Sequence, residues 1–335
     1  MARSTRVALA LGSGGARGYA HIGVVAELDA RGYEIVSVAG SSMGALVGGL
    51  YCAGRLDDYV DWISGLSQLD VMRLLDVSLS KPGGMIGAER ILARVREILG
   101  DTVIEDLDIP FTAVATDLAA GRPVWFQKGS LVDAIRASIA IPGVIRPHEV
   151  DGRLLADGGI LDPLPVAPTS AVSSDVTIGV VLDADDGAEH GASRAPKTKG
   201  VIRRNITPLL ENDWVRSVRE RFGVEADDSV SHDAPAEDTP AGSDGSDDVE
   251  PLSTSSDVDD GAKAAPMGRI EILLRSLDIM SIALTRYQIA GYPPDILIRV
   301  PRKAVRTLDF HKATEMIELG RALTAEALDK LPEEP

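Results

Sequence analysis

The sequence predicts an α/β fold with a mostly parallel central sheet. Residues 7–11 form a short apolar run that enters a glycine-rich loop and continues with the helical spacing of residues 19–31. Residues 35–39 repeat this arrangement, since a second apolar run enters a tight Gly/Ser turn and continues as a helix of small residues. Two successive strand, loop and helix units are typical of parallel strands joined by crossover helices. The loops that follow both strands are then expected at the same edge of the sheet.

The turn after the second strand has the layout of a nucleophile elbow. Residues 40–44 read Gly-Ser-Ser-Met-Gly and place Ser42 between Gly40 and Gly44. So tight a strand-to-helix turn leaves no room for side chains at the flanking positions, and it presents the serine hydroxyl at the sheet edge. We therefore predict Ser42 as a nucleophile. The pentapeptide alone is a weak signal, and a Gly/Ser packing turn is the structural alternative.

The glycine-rich loop after the first strand is predicted to bind an anion. Residues 12–18 read Gly-Ser-Gly-Gly-Ala-Arg-Gly and end at a helix N-terminus, where backbone amides favour negative charge. Beside a serine nucleophile, that anion is the oxyanion of a tetrahedral intermediate, so we assign the hole to the amides of Gly14, Gly15, Ala16 and Met43. A nucleotide cradle is the alternative. Against it, the loop lacks the dinucleotide glycine spacing, and no Lys-Ser/Thr pair follows.

A candidate carboxylate follows a later strand. Residues 149–154 carry a hairpin signal with Asp-Gly as the turn, and the returning strand, 154–156, ends in Asp157, Gly158 and Gly159. A carboxylate between an apolar strand and two glycines is expected at a loop edge that a substrate can approach. The alternative role for this aspartate is a structural Asx turn.

Further elements are predicted between these motifs. Apolar residues over 57–75 have helical spacing, which indicates a core-facing amphipathic helix or, as the alternative, a lid or membrane-docking surface. The other predictions are a loop at 80–87, a helix at 88–99, strands at 111–116 and 124–126, and a helix at 131–139 capped by Ser130.

The second half of the chain is predicted to interrupt and then complete the same domain. A strand at 177–182 is followed by a helix at 201–222, a helix at 270–290, a strand at 296–300 and a helix at 310–331. Between them, residues 225–265 contain almost no large apolar side chain and cannot bury enough surface to offset the ordering entropy. The predicted organisation is a core at 5–182, a helical extension at 183–224, a disordered acidic insertion at 225–265 and a completing helix-strand-helix segment at 266–332.

Composition excludes several classes of function. The formal net charge is −17, but thirteen acidic residues and no Lys or Arg lie between positions 225 and 261, so the rest of the chain carries only about −4. No basic stripe is present, which argues against a nucleic-acid partner. The single cysteine, Cys52, is expected to be buried and to pack in the core. A chain with one cysteine has no internal disulfide, which is typical of a reducing compartment. No transmembrane span is predicted, so we expect a cytoplasmic protein, with peripheral membrane contact and the oligomeric state left open.

With these motifs identified, the chain resembles the patatin-like phospholipase family, which includes bacterial patatin-like proteins and neuropathy target esterase. The family pattern combines a glycine-rich oxyanion loop, a G-x-S-x-G nucleophile and a downstream D-G-A/G. Here the loop is Ser13 to Gly18, including Arg17, and the other motifs are residues 40–44 and 157–159. Ser13 departs from the family at the first glycine of the loop. The resemblance covers residues 7–182 and returns at 295–298 and 308–311.

The resemblance implies a three-layer α/β/α patatin-like fold and a catalytic dyad without a cofactor. In that dyad Ser42 attacks an acyl carbonyl and Asp157 acts as its base. The implied substrate is a lipid ester, either a phospholipid or a lysophospholipid. Arg17 is expected to orient the loop or to cap it. No metal centre is expected, because the His and Cys residues show no ligand spacing.

A catalytic triad is the alternative to the dyad. The candidate histidines are His21, His148, His190, His232 and His311. His311 is the serious one, because the order Ser42, Asp157, His311 is that of an α/β-hydrolase triad. Two other functions also stay open, a nucleotide-binding α/β protein and a non-catalytic interaction protein on the same scaffold.

Overall fold

A single eight-stranded sheet organises the chain. The computed structural model describes residues 3–66, 69–71, 89–184 and 268–330. The strands are β1 (Arg6–Leu11), β2 (Glu34–Ser41), β3 (Phe111–Asp117), β4 (Arg122–Phe126), β5 (His148–Val150), β6 (Arg153–Asp157), β7 (Val176–Ala184) and β8 (Ile296–Pro301). Their order is β5-β6-β3-β2-β1-β7-β8, with β4 paired to β3. The five strands from β3 to β8 along this order are parallel, whereas β4, β5 and β6 pair antiparallel.

Helices cover both faces of this sheet. They are α1 (Ala20–Ala30), α2 (Met43–Cys52), α3 (Leu56–Ser64), α4 (Glu89–Leu99), α5 (Leu131–Ser138), α6 (Arg269–Gly291) and α7 (Ala313–Asp329). Short 3-10 helices lie at Gly15–Tyr19, Ile104–Asp106, Gly158–Ile160, Ala167–Ala171 and Phe310–Lys312. None of the helices in the described ranges is long and apolar enough to cross a membrane.

Alternation along β1 separates the two faces. Leu9 and Leu11 point into the larger core, which also takes up apolar residues of α1, α2 and α7. Ala10 points the other way, into a smaller cluster with Leu164 and Val166, against which Ile289 of α6 packs. Successive strand residues face opposite sides of a sheet, so both faces need a covering layer. The predicted three-layer α/β/α fold with a mostly parallel sheet is confirmed.

Most of the predicted elements are present, and one is wrong in length. The helix predicted over 57–75 ends at Ser64, where Gly65 interrupts it. Tyr59 and Ile63 of this helix are buried in the core, whereas Leu69 is exposed. Cys52 is buried, as expected. The predicted loop at 80–87, the helix at 201–222 and the acidic insertion at 225–265 lie outside the described residues.

Candidate active site

The predicted site residues meet at the carboxyl edge of the parallel strands. The glycine-rich loop follows β1 and Ser42 follows β2, and these two strands are parallel neighbours over their whole paired length. Parallel pairing therefore brings two loops separated by about thirty residues to one edge, as expected from the sequence. The third motif follows a strand that runs opposite to the parallel strands, because β6, which ends in Asp157, pairs antiparallel with β3.

Ser42 has the strained backbone of an elbow. Its φ of 54° and ψ of −120° lie in a region that residues other than glycine rarely adopt. A Cβ at Gly40 would collide with the backbone of Gly44, and a Cβ at Gly44 would collide with the carbonyl of Leu11. The flanking glycines are thus required because the backbone approaches closely at both positions, as the tight turn in the sequence predicts.

A serine from α5 holds this turn in place. The Ser42 backbone N–H donates to Ser138 Oγ at 2.9 Å, and the Ser138 hydroxyl donates to the Val114 carbonyl of β3 at 2.5 Å. Ser138 is fully buried, so its hydroxyl has no competing water. The hydroxyl therefore ties the elbow to the neighbouring strand.

Asp157 contacts the Ser42 side chain directly. The Ser42 hydroxyl donates to Asp157 Oδ2 at 2.5 Å, and the Gly159 amide donates to Oδ1 at 2.7 Å. The aspartate backbone is fixed as well, since its N–H donates to Ala140 O at 3.0 Å and its carbonyl accepts from Thr116 Oγ1 at 2.9 Å. Burial raises the Asp157 pKa to about 6, although the hydrogen bonds from the Ser42 hydroxyl and the Gly159 amide act to lower it.

The glycine-rich loop supplies fewer amides than predicted. The Ala16 N–H donates to the Thr307 carbonyl at 2.9 Å, so this amide is not available to an oxyanion, and its assignment to the hole is corrected. Within the described residues, the amides of Gly14, Gly15 and Met43 have no acceptor. Gly15 has a φ of 58°, and a Cβ there would collide with Thr307. This position accordingly needs glycine.

The buried Arg17 side chain contacts the backbone of the same loop. Its Nε donates to the Gly14 carbonyl at 3.2 Å, a contact that the orienting role and the capping role both predict. The guanidinium is 4% exposed and lies 3.7 Å from Asp278 of α6. Asp278 is in turn 3.8 Å from Arg302, so one carboxylate on α6 faces two arginines.

None of the histidines in the described ranges contacts the Ser42 or Asp157 side chain. His21 Nε2 lies 2.8 Å from the Gly12 carbonyl, and burial lowers the His21 pKa to about 4. His148 pairs with Asp133 at 3.1 Å. His311 lies in the short helix Phe310–Lys312 and does not line the cleft. The remaining two, His190 and His232, lie outside the described residues.

A cleft opens over the Ser42 and Asp157 side chains and is covered on one side by α6. It encloses about 630 Å³, including its opening to solvent. Its apolar lining consists of Ile141, Pro142, Ile160, Leu274, Leu277 and Ile282. Ser13, Gly14, Gly15, Arg17 and Gly159 also line it. All three motifs therefore border one largely apolar space.

Sequence analysis missed several residues that shape this site. Ser138 and Thr116 position the elbow and the aspartate, but both lie in ordinary helix and strand sequence that carries no local signal. Thr307 sits in a loop 265 residues beyond Ser42. Asp278 had a signal, because it is the one carboxylate between positions 272 and 290 of a predicted helix whose sequence is mostly apolar.

Chemically, the arrangement pairs a buried carboxylate with a hydroxyl and with amides that have no acceptor among the residues the structure describes. A carboxylate in contact with a serine hydroxyl can accept its proton, and unpaired amides can stabilise a developing negative charge. In the described part of the chain, no group of three or more His, Cys, Asp or Glu side chains is placed to hold a metal ion.

Comparison with known proteins identifies the family. The patatin-like phospholipase profile matches residues 9–169. An uncharacterized NTE family protein of Mycobacterium bovis is 50% identical over 97% of this chain and 92% of its own length. Lysophospholipase nte1 of Emericella nidulans is 30% identical over 55% of this chain and 12% of its own. Neuropathy target esterase sws of Drosophila persimilis is 36% identical over 48% of this chain and 11% of its own. At the family level these matches indicate a lipid hydrolase, and the chain belongs to the patatin-like phospholipase family.

Proposed function

We propose that this protein is a serine acyl hydrolase that cleaves carboxylic esters of phospholipids or lysophospholipids through a Ser42 and Asp157 dyad. The observation that carries the proposal is the direct 2.5 Å hydrogen bond between the Ser42 hydroxyl and the Asp157 carboxylate. Because the two side chains already touch, no bridging imidazole is needed to move the proton. Family membership supports the lipid ester as the class of substrate.

In the acylation step, Ser42 Oγ attacks the acyl carbonyl carbon while its proton passes to Asp157 Oδ2. The carbonyl oxygen becomes an oxyanion, for which the amides of Gly14, Gly15 and Met43, without an acceptor in the described part of the chain, are the donors. Loss of one such donor typically costs about 2.7 to 4 kcal/mol of transition-state stabilisation. The strained elbow and the loop braced by Arg17 keep these donors fixed before the substrate arrives.

The intermediate then collapses and the ester C–O bond breaks. The leaving alcohol takes the proton from Asp157. A water molecule then attacks the acyl carbon of the acyl-enzyme while Asp157 accepts its proton, and as the bond between that carbon and Ser42 Oγ breaks, Asp157 returns the proton to Oγ, which releases the fatty acid and restores both residues. An ordinary aspartate is a weak base. Burial raises the Asp157 pKa to about 6, which makes the carboxylate more basic and leaves it ionised at neutral pH.

The cleft lining supports an acyl chain as part of the substrate. Ile141, Ile160 and Leu277 are among the apolar side chains beside the dyad, and their contact area is suited to a hydrocarbon tail. A short hydrophilic ester would leave these groups without a partner. We therefore expect catalytic efficiency to rise with acyl-chain length.

The test is labelling by a fluorophosphonate probe together with hydrolysis of a panel of lipid and short-chain esters. We expect labelling and hydrolysis by the full-length protein, loss of both in Ser42→Ala, and loss of hydrolysis in Asp157→Asn. Ser170→Ala, at an exposed serine, is the matched control and is expected to behave as wild type. Equal loss of activity in His311→Ala would contradict the dyad. Nucleotide-dependent thermal stabilisation without labelling would favour the nucleotide-binding alternative.

A further inference from the structure

Helix α6 carries large apolar side chains on both of its sides. Its inner side lines the cleft through residues that include Leu274, Leu277 and Ile282. Its outer side exposes Ile272, Leu273, Ile279, Met280 and Tyr287, which are between 39 and 77% exposed. We call these five residues the outer face of α6. Of the ten large hydrophobic side chains that are exposed in the described ranges, half therefore belong to one helix.

These five residues form one continuous stripe along the helix. At 100° per residue, positions 272, 273, 279, 280 and 287 fall within about a third of the circumference. The residues that line the cleft fall on the opposite side. A helix that only covered an active site would need one apolar side, so the outer stripe requires a separate explanation.

Charge on α6 is divided between the same two sides. Arg275 and Arg286 are exposed and, at 100° per residue, lie along one edge of the outer face. Asp278 is the one acidic residue between positions 272 and 290, and it turns inward toward Arg17 and Arg302. In a chain with a formal net charge of −17, the solvent side of this helix is thus apolar and basic.

We infer that the outer face of α6 docks on an anionic lipid surface. Aliphatic and aromatic side chains on one side of a helix insert at the boundary of headgroups and acyl chains, and flanking arginines are attracted to anionic headgroups. This partner rests on the proposed function, because the inner side of the same helix borders the cleft that would receive the lipid ester. Docking places that cleft one helix diameter, about 10 Å, from the bilayer.

The test is flotation of full-length Ser42→Ala protein with phosphatidylcholine vesicles that contain or lack phosphatidylglycerol. The Ser42→Ala background prevents hydrolysis of the vesicles, so binding is measured apart from catalysis. We expect binding that depends on phosphatidylglycerol and that falls at least about tenfold when Ile279→Glu and Met280→Glu are combined. Arg275→Glu is expected to weaken binding about fivefold or more.

The matched controls lie on α7, which packs on the other face of the sheet. Ala322→Glu adds, at an exposed helical position, the charge that each of the two α6 substitutions adds, and Arg321→Glu is the same reversal as Arg275→Glu. Both controls are expected to bind vesicles as the parent does. In an otherwise wild-type chain, the Ile279→Glu and Met280→Glu variant is expected to hydrolyse a water-soluble ester at the normal rate while losing activity on vesicles.

Three outcomes would overturn this inference. The first is absence of binding to both kinds of vesicle, and the second is an equal loss of binding in the α7 controls. The third is a reversible dimer that Ile279→Glu abolishes, with no vesicle binding, which would make a second copy of the chain the partner. Vesicle binding in a protein that hydrolyses no ester would instead refute the proposed function and leave the docking surface in place.

Discussion

Replacing Asp157 by asparagine is expected to abolish hydrolysis and to stabilise the fold at neutral pH. The Asp157 carboxyl is buried, and burial raises its pKa from 3.8 to about 6. The folded state therefore holds this proton more tightly than the unfolded chain does. Ionising the group at neutral pH costs folding free energy, which an uncharged amide of nearly the same shape avoids.

The size of the effect follows from the two pKa values. Below pH 3.8 both states are protonated and the cost is absent, whereas above about pH 6 it is fully present. Linkage gives about 3 kcal/mol at pH 7.5 and about half of that at pH 5. Asp157→Asn should therefore gain about 1 to 2 kcal/mol more in unfolding free energy at pH 7.5 than at pH 5.

The difference between the unfolding free energies gained at pH 7.5 and at pH 5 is more informative than the gain at one pH. The asparagine amide adds N–H donors beside Ser42 and Gly159, and any donor left unpaired imposes a cost. That cost is the same at both pH values, so it cancels in the comparison. The assay is equilibrium urea unfolding of wild type and variant at pH 5 and pH 7.5.

Asp162→Asn is the matched control for the loss of activity. Burial also raises the Asp162 pKa to about 6, and its Oδ1 accepts from Gln288 of α6 at 2.8 Å, away from the Ser42 hydroxyl. We expect a similar pH-dependent gain in stability with fluorophosphonate labelling retained. An equal change in the unfolding free energy of Asp157→Asn at both pH values, or a larger gain at pH 5, would contradict a raised Asp157 pKa in the folded state.

Four further predictions concern the same site and its surroundings. The kcat/KM for a short-chain ester should fall about tenfold per pH unit below pH 6, because protonated Asp157 cannot accept a proton; a flat profile from pH 4.5 to 8.5 would contradict this. Ser138→Ala should lower kcat and cost about 1–3 kcal/mol in urea unfolding, since a buried amide and a buried carbonyl lose their partner. Gly44→Ala should prevent native folding by circular dichroism, whereas Gly291→Ala, where a Cβ meets nothing within 4 Å, should melt as wild type. Deleting residues 225–265 should leave labelling and unfolding free energy unchanged, and a loss of either would assign this segment a structural role.

The sequence could predict the elbow and the glycine-rich loop because their signals are local. A strand, a glycine-rich turn and a helix occur within a dozen residues, and parallel pairing then fixes where two such turns meet. The local signal at Asp157, an apolar strand followed by two glycines, predicts a loop edge but not a place beside Ser42. The position of Asp157 depends on a 115-residue path through β3, β4, α5 and a hairpin, so its role was inferred from family resemblance.

For helix α6, the sequence predicts the element but not where it packs. The sequence predicts a helix at 270–290, close to the observed bounds Arg269–Gly291. It does not predict that this helix lies over the cleft. A helix with apolar residues on several sides has no single face that identifies the layer on which it packs. The predicted end of α3 was wrong because apolar spacing is also an incomplete guide to helix length. The spacing continues to position 75, but the helix ends at Ser64, before Gly65.

The C-terminal part of the chain contacts the glycine-rich loop and occupies one of its amides. The Thr307 carbonyl accepts from the Ala16 amide, and the same residue lines the cleft and fills the space that a side chain at Gly15 would need. Because the Ala16 amide is occupied, the neighbouring amides of Gly14 and Gly15 are the ones left for a substrate. A loop motif can predict that amides are present, but which of them are free depends on a carbonyl 291 residues away.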